Sequence, residues 1–180
     1  IDCGAVIGGW HSDAAICVVI PDPSRPELVA ARQALSEATE EAMWVGVAAL
    51  TQVKYLNEVG TKIEKYIRDN TKYGIVEEYI GHGIGRSMHE EPPVFNYAVR
   101  GNGPEIRAGL VVCIEPIITA GGVRTRVLDD AWTVTTVDGQ DACQWEQTVA
   151  VHEGGIWVLT EPDGGRAKLA KYGIVPTPIA

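Results

Sequence analysis

The sequence lacks three features that would point to common classes of protein. Its 15 Lys and Arg residues stand against 24 Asp and Glu, a net charge of −9, so direct nucleic-acid binding is not expected. No apolar run is long enough to span a membrane, and no membrane association is expected. The four cysteines form no C-x-x-C pair, which argues against a zinc knuckle or a thioredoxin-type motif. Each lies among apolar residues, so we expect buried, reduced thiols at Cys3, Cys17, Cys113 and Cys143.

What is present fits one globular domain. The chain has 180 residues, of which 46% are hydrophobic, and its mean hydropathy is close to zero. We therefore expect a single domain over residues 1–180. Its first residues already follow a strand-like pattern without an initiator Met, and we interpret this N terminus as a cut. The absence of a targeting segment therefore carries little weight.

Hydrophobic periodicity predicts an α+β domain, with antiparallel strands and helices on one face. Residues 1–20 are predicted to form a hairpin around Gly8-Gly9. A first helix is predicted over 27–50, with Ser24 as a residue type that favours a helix start. A second is predicted over 57–70, with Val59, Ile63, Tyr66 and Ile67 facing inward. Predicted strands cover 79–85, 110–118, 132–137, 143–152 and 156–159. A turn at Asp138-Gly139 is predicted to join strands 132–137 and 143–152, and the tail after 156–159 is predicted to be loosely held.

Three acidic residues interrupt apolar strands: Asp2, Glu115 and Glu146. An isolated buried carboxylate is costly, so it needs a partner or a proton. Any one of them alone could face water from the exposed side of a sheet. Together with Asp13 and a histidine in a glycine-rich strand, they indicate a shared site.

The predicted hairpin places two of these acids on one face. With Gly8-Gly9 as the loop, Gly4 lies opposite Asp13, and Asp2 and Asp13 form a diagonal pair with Cα atoms roughly 7–8 Å apart. Gly4 has no side chain and leaves room between them. Two carboxylates this close repel each other unless a cation lies between them. A register slip of one residue would remove this argument.

Two histidines are candidates for the same site. His82 lies between glycines in Ile80–Gly85, which suits the close approach of an ion or substrate, although a single strand histidine is more often structural. His89 lies in a Pro-containing loop or edge, where it is a candidate proton donor or substrate contact. A plain surface histidine is its alternative.

Four carboxylates and one imidazole suit two divalent ions, because two doubly charged cations would neutralise four carboxylates. An oxygen-rich site with one histidine favours Mn, Fe or Co, and Zn remains an alternative. Two ions roughly 3.5–4 Å apart can share one hydroxide and polarise a carbonyl together.

The surroundings of these residues form longer motifs. The most specific is GHGIGRSMHEEPPVFNY over residues 81–97, and VCIEP (112–116), QWEQT (144–148) and WHSD (10–13) surround the other acids. In this order they resemble the type I methionine aminopeptidases, metallopeptidases of the pita-bread (creatinase/aminopeptidase) fold. The resemblance extends to about Gly154. It implies an α+β domain with antiparallel strands and helices on the outer face, here truncated at the N terminus.

The resemblance implies a role for each ligand-type residue. Asp13 and Glu146 would bridge both ions, Asp2 would complete the second-ion site, and His82 and Glu115 would complete the first. Glu115 would also be the catalytic proton shuttle for a hydroxide that bridges the two ions and attacks the scissile carbonyl.

Two further residues are implied to act on the substrate. His89 would contact it near the scissile peptide and stabilise the developing charge, as a second catalytic residue. Trp132 matches an aromatic position near the methionine pocket, with packing in the core as its alternative.

The implied enzyme removes the N-terminal methionine from nascent polypeptides and requires a small second residue. It is expected to be a cytoplasmic monomer, and association with the ribosome is left open. Ser12 stands where the family usually has Gly, and Gln147 stands where a His often follows the glutamate. Most of the family's first half would precede Ile1, and a polypeptide that begins there is expected to be poorly stable and little active.

Three alternatives stay open on the sequence alone. A dipeptidase or proline-specific aminopeptidase of the same fold would use the same ligands. A non-catalytic pita-bread binding module would have lost ligands, whereas all five are present here. An acidic structural domain without a site would leave the acids within the strands unexplained.

Overall fold

The computed structural model describes residues 1–179. Within them lie three α-helices, α1 (Pro26–Ala49), α2 (Asn57–Asn70) and α3 (Arg166–Leu169), with a 3-10 helix over Ala170–Tyr172. The strands are β1 (Asp2–Ile7), β2 (Trp10–Ala15), β3 (Gly74–Ile75), β4 (Gly81–Gly83), β5 (Glu90–Val94), β6 (Val111–Ile114), β7 (Ile117–Thr119), β8 (Thr125–Val127), β9 (Val134–Thr136), β10 (Ala142–Gln144), β11 (Gln147–His152) and β12 (Gly155–Val158).

All strand pairs among the described residues are antiparallel, as the α+β prediction requires. The largest sheet has the order β12-β11-β6-β4-β5, and a second sheet has the order β10-β7-β3. The pairs β1-β2 and β8-β9 form separate two-stranded ribbons. None of the helices in the described part of the chain is both long and apolar enough to cross a membrane.

The two long helices pack together on the sheets. Gly46 of α1 marks the closest approach, because a Cβ there would lie 2.7 Å from both Ile114 and Ile63 side-chain carbons. Trp44 and Val47 on the same helix are fully buried in the core. Burying a large apolar side chain contributes about 1.5–3 kcal/mol. The burial of these side chains and the close approach of Gly46 to Ile114 hold α1 against β6.

The predicted helices are found, with one error at a helix start. Helix α2 occupies the predicted 57–70 range, and its predicted inward residues are buried except for half-buried Tyr66. Helix α1 begins with Pro26 in its first turn and has no side-chain cap. The Ser24 hydroxyl donates instead to the Asp22 carboxylate at 2.6 Å, so the predicted start chemistry at Ser24 is wrong.

Two predicted strands are each split between two sheets. The predicted run 110–118 breaks at Glu115-Pro116, where Pro has no N–H to donate and the chain passes from β6 to β7. The predicted run 143–152 breaks at Trp145-Glu146, where the chain passes from β10 to β11. Both glutamates therefore lie where the chain crosses between the same two sheets.

The predicted turn at Asp138-Gly139 is found between β9 and β10, where the Gly139 N–H donates to the Thr136 carbonyl at 3.4 Å. Strand β9 itself pairs with β8, and the Asp138 carboxylate accepts from the Gly122 and Gln140 N–H groups. The prediction for the C-terminal segment is wrong. The segment after β12 is not loosely held. It contains α3, whose Leu169 is fully buried, and the Thr177 N–H donates to the Ile156 carbonyl at 3.0 Å.

The cysteines differ in exposure. Cys113 and Cys143 are buried as predicted, whereas Cys17 is half-buried and Cys3 is exposed on β1. All four are free thiols. The prediction of burial fails at Cys3 because the whole of β1 is exposed in the described residues.

Candidate metal centre

The β1–β2 hairpin has the predicted register. Gly4 pairs with Asp13 and Asp2 pairs with Ala15, so both aspartates lie on one face. Asp13 is buried and Asp2 is exposed. The space beside Gly4 is not open, however, because a Cβ there would lie 2.5 Å from Met88 Cε and 3.8 Å from Asp13 Oδ1. Gly4 therefore accommodates the Met88 side chain against the hairpin.

Glu146 is attached to the hairpin through the backbone. Its N–H donates to the Ala15 carbonyl at 2.9 Å, and the Ala15 N–H donates back to the Glu146 carbonyl at 3.3 Å. The Thr148 hydroxyl donates to the Asp13 carbonyl at 2.6 Å and accepts from the Asp13 N–H at 3.3 Å. These backbone contacts bring three carboxylates together. One oxygen from each lies within 4.8 Å of the other two, and the residues are Asp2, Asp13 and Glu146.

His82 comes from β4, between β5 and β6. A Cβ at Gly81 would lie 2.2 Å from the Cys113 carbonyl oxygen, and one at Gly83 would lie 2.3 Å from the Glu91 carbonyl oxygen. The flanking glycines are therefore required by neighbouring backbones, a reason that the sequence did not reveal. His82 Nδ1 lies 2.9 Å from the Gly83 carbonyl oxygen. Since a carbonyl only accepts, Nδ1 carries the proton and Nε2 is left as the metal-binding atom of a neutral ring.

Glu115 lies opposite that atom. Its Oε1 is 3.2 Å from His82 Nε2, yet it is buried and receives no aligned hydrogen bond. Its Oε2 accepts from the Gln144 side-chain amide at 3.1 Å. A neutral imidazole thus directs a lone pair at a carboxylate oxygen, an arrangement that requires a proton or a cation between the two.

His89 is close to these groups but lies outside the core. It is exposed, and its ring is edge-to-face with that of His82 at a centroid separation of 4.4 Å. Ligand atoms of Asp13, His82 and His89 lie within 4.8 Å of one another. His82, His89 and Glu115 line an open cleft of about 560 Å³, together with Glu78, Glu90 and Glu91.

Burial and mutual repulsion disfavour the ionised carboxylates of this cluster. Burial, followed by the charges of Glu115 and Asp13, raises the pKa of Glu146 to about 8. Burial also raises the pKa of Glu115, against the opposing effect of His82. The pKa of Asp13 is raised by burial and by Asp2. The cluster therefore holds more negative charge than its surroundings compensate, and a cation would remove the repulsion.

The donor set fits divalent ions. Two buried carboxylate oxygens, Glu115 Oε1 and Glu146 Oε1, have no hydrogen-bond partner. Buried polar atoms without partners are rare in folded proteins and call for an explanation such as a bound ion. The fold brings together all five predicted ligands, which we name the ligand cluster: Asp2, Asp13, His82, Glu115 and Glu146.

One residue in contact with the ligand cluster was missed from the sequence. The Cys113 thiol is fully buried, and its Sγ lies within 4.8 Å of ligand atoms of His82 and Glu146. Burial raises the pKa of this thiol above its usual range. Strand alternation offered a partial signal, because Cys113 on β6 is two residues before Glu115, which directly follows the strand. It gave no indication of the contacts with His82 and Glu146.

Trp132 does not pack in the core, the alternative that the sequence left open. Its side chain is 86% exposed, which rules out packing in the core. It follows Asp130, whose carboxylate accepts from the Trp132 N–H at 3.0 Å and shapes the loop between β8 and β9. Trp132 does not line the cleft beside His89 within the described residues. Its contact with substrate stays a prediction.

The chain resembles one family over most of its length. It matches the profile of metallopeptidase family M24 over residues 1–153. It is 48% identical over 166 residues to methionine aminopeptidase 1 of Mycobacterium tuberculosis. That alignment covers 89% of this chain and 60% of the relative. It is 37% identical over 160 residues to methionine aminopeptidase of Clostridium perfringens, covering 89% of this chain and 62% of that protein.

A solved structure agrees with the sequence comparisons. The crystal structure of methionine aminopeptidase from Rickettsia prowazekii aligns with a TM-score of 0.78 at 31% identity. The alignment covers 89% of this chain and 62% of that chain. The expected pita-bread fold is thereby confirmed. The chain spans about 60% of the length of the curated relatives it matches.

Proposed function

Because the chain belongs to metallopeptidase family M24, we propose that it is the metal-binding part of a methionine aminopeptidase. The reaction is hydrolysis of the first peptide bond, which releases an N-terminal methionine from nascent polypeptides. The observation that carries the proposal is the convergence of the ligand cluster, with unpartnered buried oxygens, in a chain 48% identical to a protein of that name.

The ligand cluster would hold two divalent ions, with Mn, Fe, Co and Zn as the candidates. Asp13 and Glu146 each belong to two of the closely spaced ligand groups, which supports their predicted shared role. When bound, such ions would supply Lewis acidity toward the scissile carbonyl and lower the pKa of a water molecule. The remaining steps depend on the protein's own side chains.

Glu115 would move the proton in the proposed reaction. Its Oε1 is buried beside the cleft without an aligned hydrogen bond, and burial raises the pKa of its carboxyl toward neutrality. A carboxyl tuned in this direction can accept a proton from the attacking water and return it to the departing amine. The Gln144 amide holds its other oxygen at 3.1 Å and fixes its orientation.

His89 would contact the substrate in the proposed reaction. It is exposed to the cleft, beside His82, and its ring can donate to the scissile carbonyl oxygen as negative charge develops there. The acidic rim formed by Glu78, Glu90 and Glu91 favours the positively charged amino terminus of a peptide. Trp132, on the β8–β9 loop, would contribute an aromatic ring to the methionine pocket.

The decisive experiment combines metal content with peptide hydrolysis. The purified protein, loaded with Mn, Fe, Co or Zn, should cleave Met-Ala-Ser, and Glu115→Gln should reduce kcat by about 100-fold or more. The matched variant Glu37→Gln changes an exposed carboxylate of α1 and should leave kcat unchanged. Full activity of Glu115→Gln would refute the assigned role.

The same assay separates the alternatives. Faster cleavage of a Gly-Pro or Xaa-Pro substrate than of Met-Ala-Ser would assign the chain to a dipeptidase or a proline-specific aminopeptidase. Failure of the folded protein to retain any divalent ion would favour a non-catalytic binding module. Ribosome association, a monomeric state and a cytoplasmic location remain part of the proposal, to be tested by co-sedimentation, light scattering and cell fractionation.

A further inference from the structure

Cys113 lies beside the ligand cluster without a role in the proposed reaction. It lies on β6, two residues before Glu115, which directly follows the end of that strand. Its Sγ forms a group with ligand atoms of His82 and Glu146 in which all distances are within 4.8 Å. Atoms at such separations can bind one ion together, since Zn–S, Zn–N and Zn–O bonds are about 2.0–2.3 Å long.

The Cys113 sulfur has a hydroxyl and a carboxylate among its neighbours. Its Sγ lies 3.4 Å from the Thr148 hydroxyl oxygen and within 4.8 Å of a carboxylate oxygen of Glu146. The Thr148 hydroxyl already donates to the Asp13 carbonyl and accepts from the Asp13 N–H. Glu146, in contrast, has a buried oxygen, Oε1, without a hydrogen-bond partner. The sulfur therefore lies near a carboxylate that has an oxygen available to bind an ion.

We infer that Cys113 is a conditional ligand, which binds a thiophilic divalent ion together with His82 and Glu146. The inference rests on the metal centre proposed above and concerns which ions that centre can take. Hard ions such as Mn²⁺ prefer the carboxylate oxygens and leave the thiol protonated. Thiophilic ions such as Cd²⁺ and Zn²⁺ gain a soft donor that a centre made only of oxygen and imidazole donors would not offer.

The chemistry of this binding requires no redox partner. The S–H bond breaks, a metal–sulfur bond forms, and the proton leaves to solvent. The oxidation state of sulfur and metal does not change. A thiophilic ion should therefore release one more proton on binding to the wild-type protein than to a Cys113→Ser variant.

The test is a titration of the metal-free protein with Cd²⁺, followed by ultraviolet absorption. Wild type should develop a thiolate-to-cadmium charge-transfer band, and so should the control Cys17→Ser, which removes a half-buried thiol outside the cluster. Cys113→Ser should bind Cd²⁺ without this band. Its preference for Cd²⁺ over Mn²⁺ should fall by about tenfold, the size of effect that single partners of a metal site commonly have.

The outcomes separate this inference from the proposed function. Retention of Cd²⁺ by wild type without a charge-transfer band would overturn the role of Cys113 and leave the metal centre intact. Failure of wild type to retain any divalent ion would overturn the proposed function, and this inference with it. Persistence of the band in Cys113→Ser would assign it to another thiol.

Two measurements keep the inference testable if Cys113→Ser does not fold. Cys113→Ala removes the sulfur without adding a hydroxyl, and its Mn²⁺ content reports whether the rest of the centre is intact. X-ray absorption of the Zn²⁺-loaded wild type needs no variant and should show one sulfur at about 2.3 Å. A shell of only nitrogen and oxygen would overturn the inference.

Discussion

His82 Nε2 lies 3.2 Å from Glu115 Oε1, while the opposite ring nitrogen is held by the Gly83 carbonyl. His82 lies on β4, and Glu115 directly follows β6, the antiparallel neighbour of β4. Burial lowers the pKa of His82, but its hydrogen bonds to Glu115 and to the Gly83 carbonyl and the charges of Glu115 and Glu146 together offset this, and the pKa lies above its ordinary value. In the metal-free protein a proton on Nε2, facing Glu115, is therefore favoured relative to a free imidazole.

This relationship predicts the titration of His82. Glu115→Gln should lower the pKa of His82 in the metal-free protein, because the favourable charge is lost while the burial remains. NMR titration of the imidazole signals measures the change. Glu37→Gln, remote on α1, should leave the pKa of His82 unaltered, and equal values in the two variants would contradict the assigned pairing.

The buried Glu146 predicts how the stability of the metal-free protein depends on pH. Its pKa is about 8 in the folded protein and about 4.3 when unfolded. The folded state therefore binds this proton more tightly, and stability should fall as pH rises through that window, by at most about 1.4 kcal/mol per pH unit for this group.

Urea denaturation at a series of pH values tests this dependence. Glu146→Gln cannot ionise, so its free energy of unfolding should change less with pH over the same window than that of wild type. Saturation of wild type with a divalent ion should also reduce the dependence, since the ion favours the ionised carboxylate. Parallel curves for metal-free wild type and Glu146→Gln would be the contrary result.

The hydrogen bonds of the Thr148 hydroxyl predict that the position of the Asp13 backbone affects metal affinity. Its hydroxyl makes two hydrogen bonds to the backbone of Asp13, and Thr148→Val removes both. Stability should fall by about 1–3 kcal/mol because buried backbone groups lose a partner. Affinity for divalent ions should fall by roughly 10–100-fold, because Asp13 is no longer held in place.

Isothermal titration with Mn²⁺ and chemical denaturation provide the two values for Thr148→Val. Thr119→Val is the matched control, because Thr119 on β7 of the second sheet is equally buried, and its hydroxyl donates to the Gly121 carbonyl instead of to Asp13. It should lose stability and keep its metal affinity. A similar loss of affinity in both variants would show that the effect is a general loosening of the fold.

The contacts of Arg86 predict that it stabilises the β1–β2 hairpin, which carries Asp2 and Asp13. Its guanidinium lies 3.8 Å from the centre of the Trp10 ring and donates to the Gly8 carbonyl at 3.0 Å. Arg86→Ala should increase hydrogen exchange of β1 and β2 amides by an amount equivalent to about 1 kcal/mol. Arg86→Lys should show a smaller increase, because it retains the charge, and unchanged exchange in Arg86→Ala would contradict this role.

The sequence by itself determined the features that depend on neighbours in the chain. The two glycines at the loop specified the hairpin register and thus the shared face of Asp2 and Asp13. The apolar spacing specified α2 from its first to its last residue. The acidic members of the ligand cluster could be recognised from the sequence, because carboxylates are costly inside apolar strands.

Only the tertiary structure decided how distant segments meet. The crossing of the chain between two sheets at Glu115 and Glu146 depends on which strands pair, and no local pattern records this. Met88 occupies the space beside Gly4, and the glycines around His82 serve neighbouring backbones, because close packing of separate strands leaves no room for a Cβ. The position of Cys113 in the ligand cluster has the same origin. Its neighbours His82 and Glu146 are far away in the chain, and only the pairing of β4, β6 and β11 brings them to its sulfur.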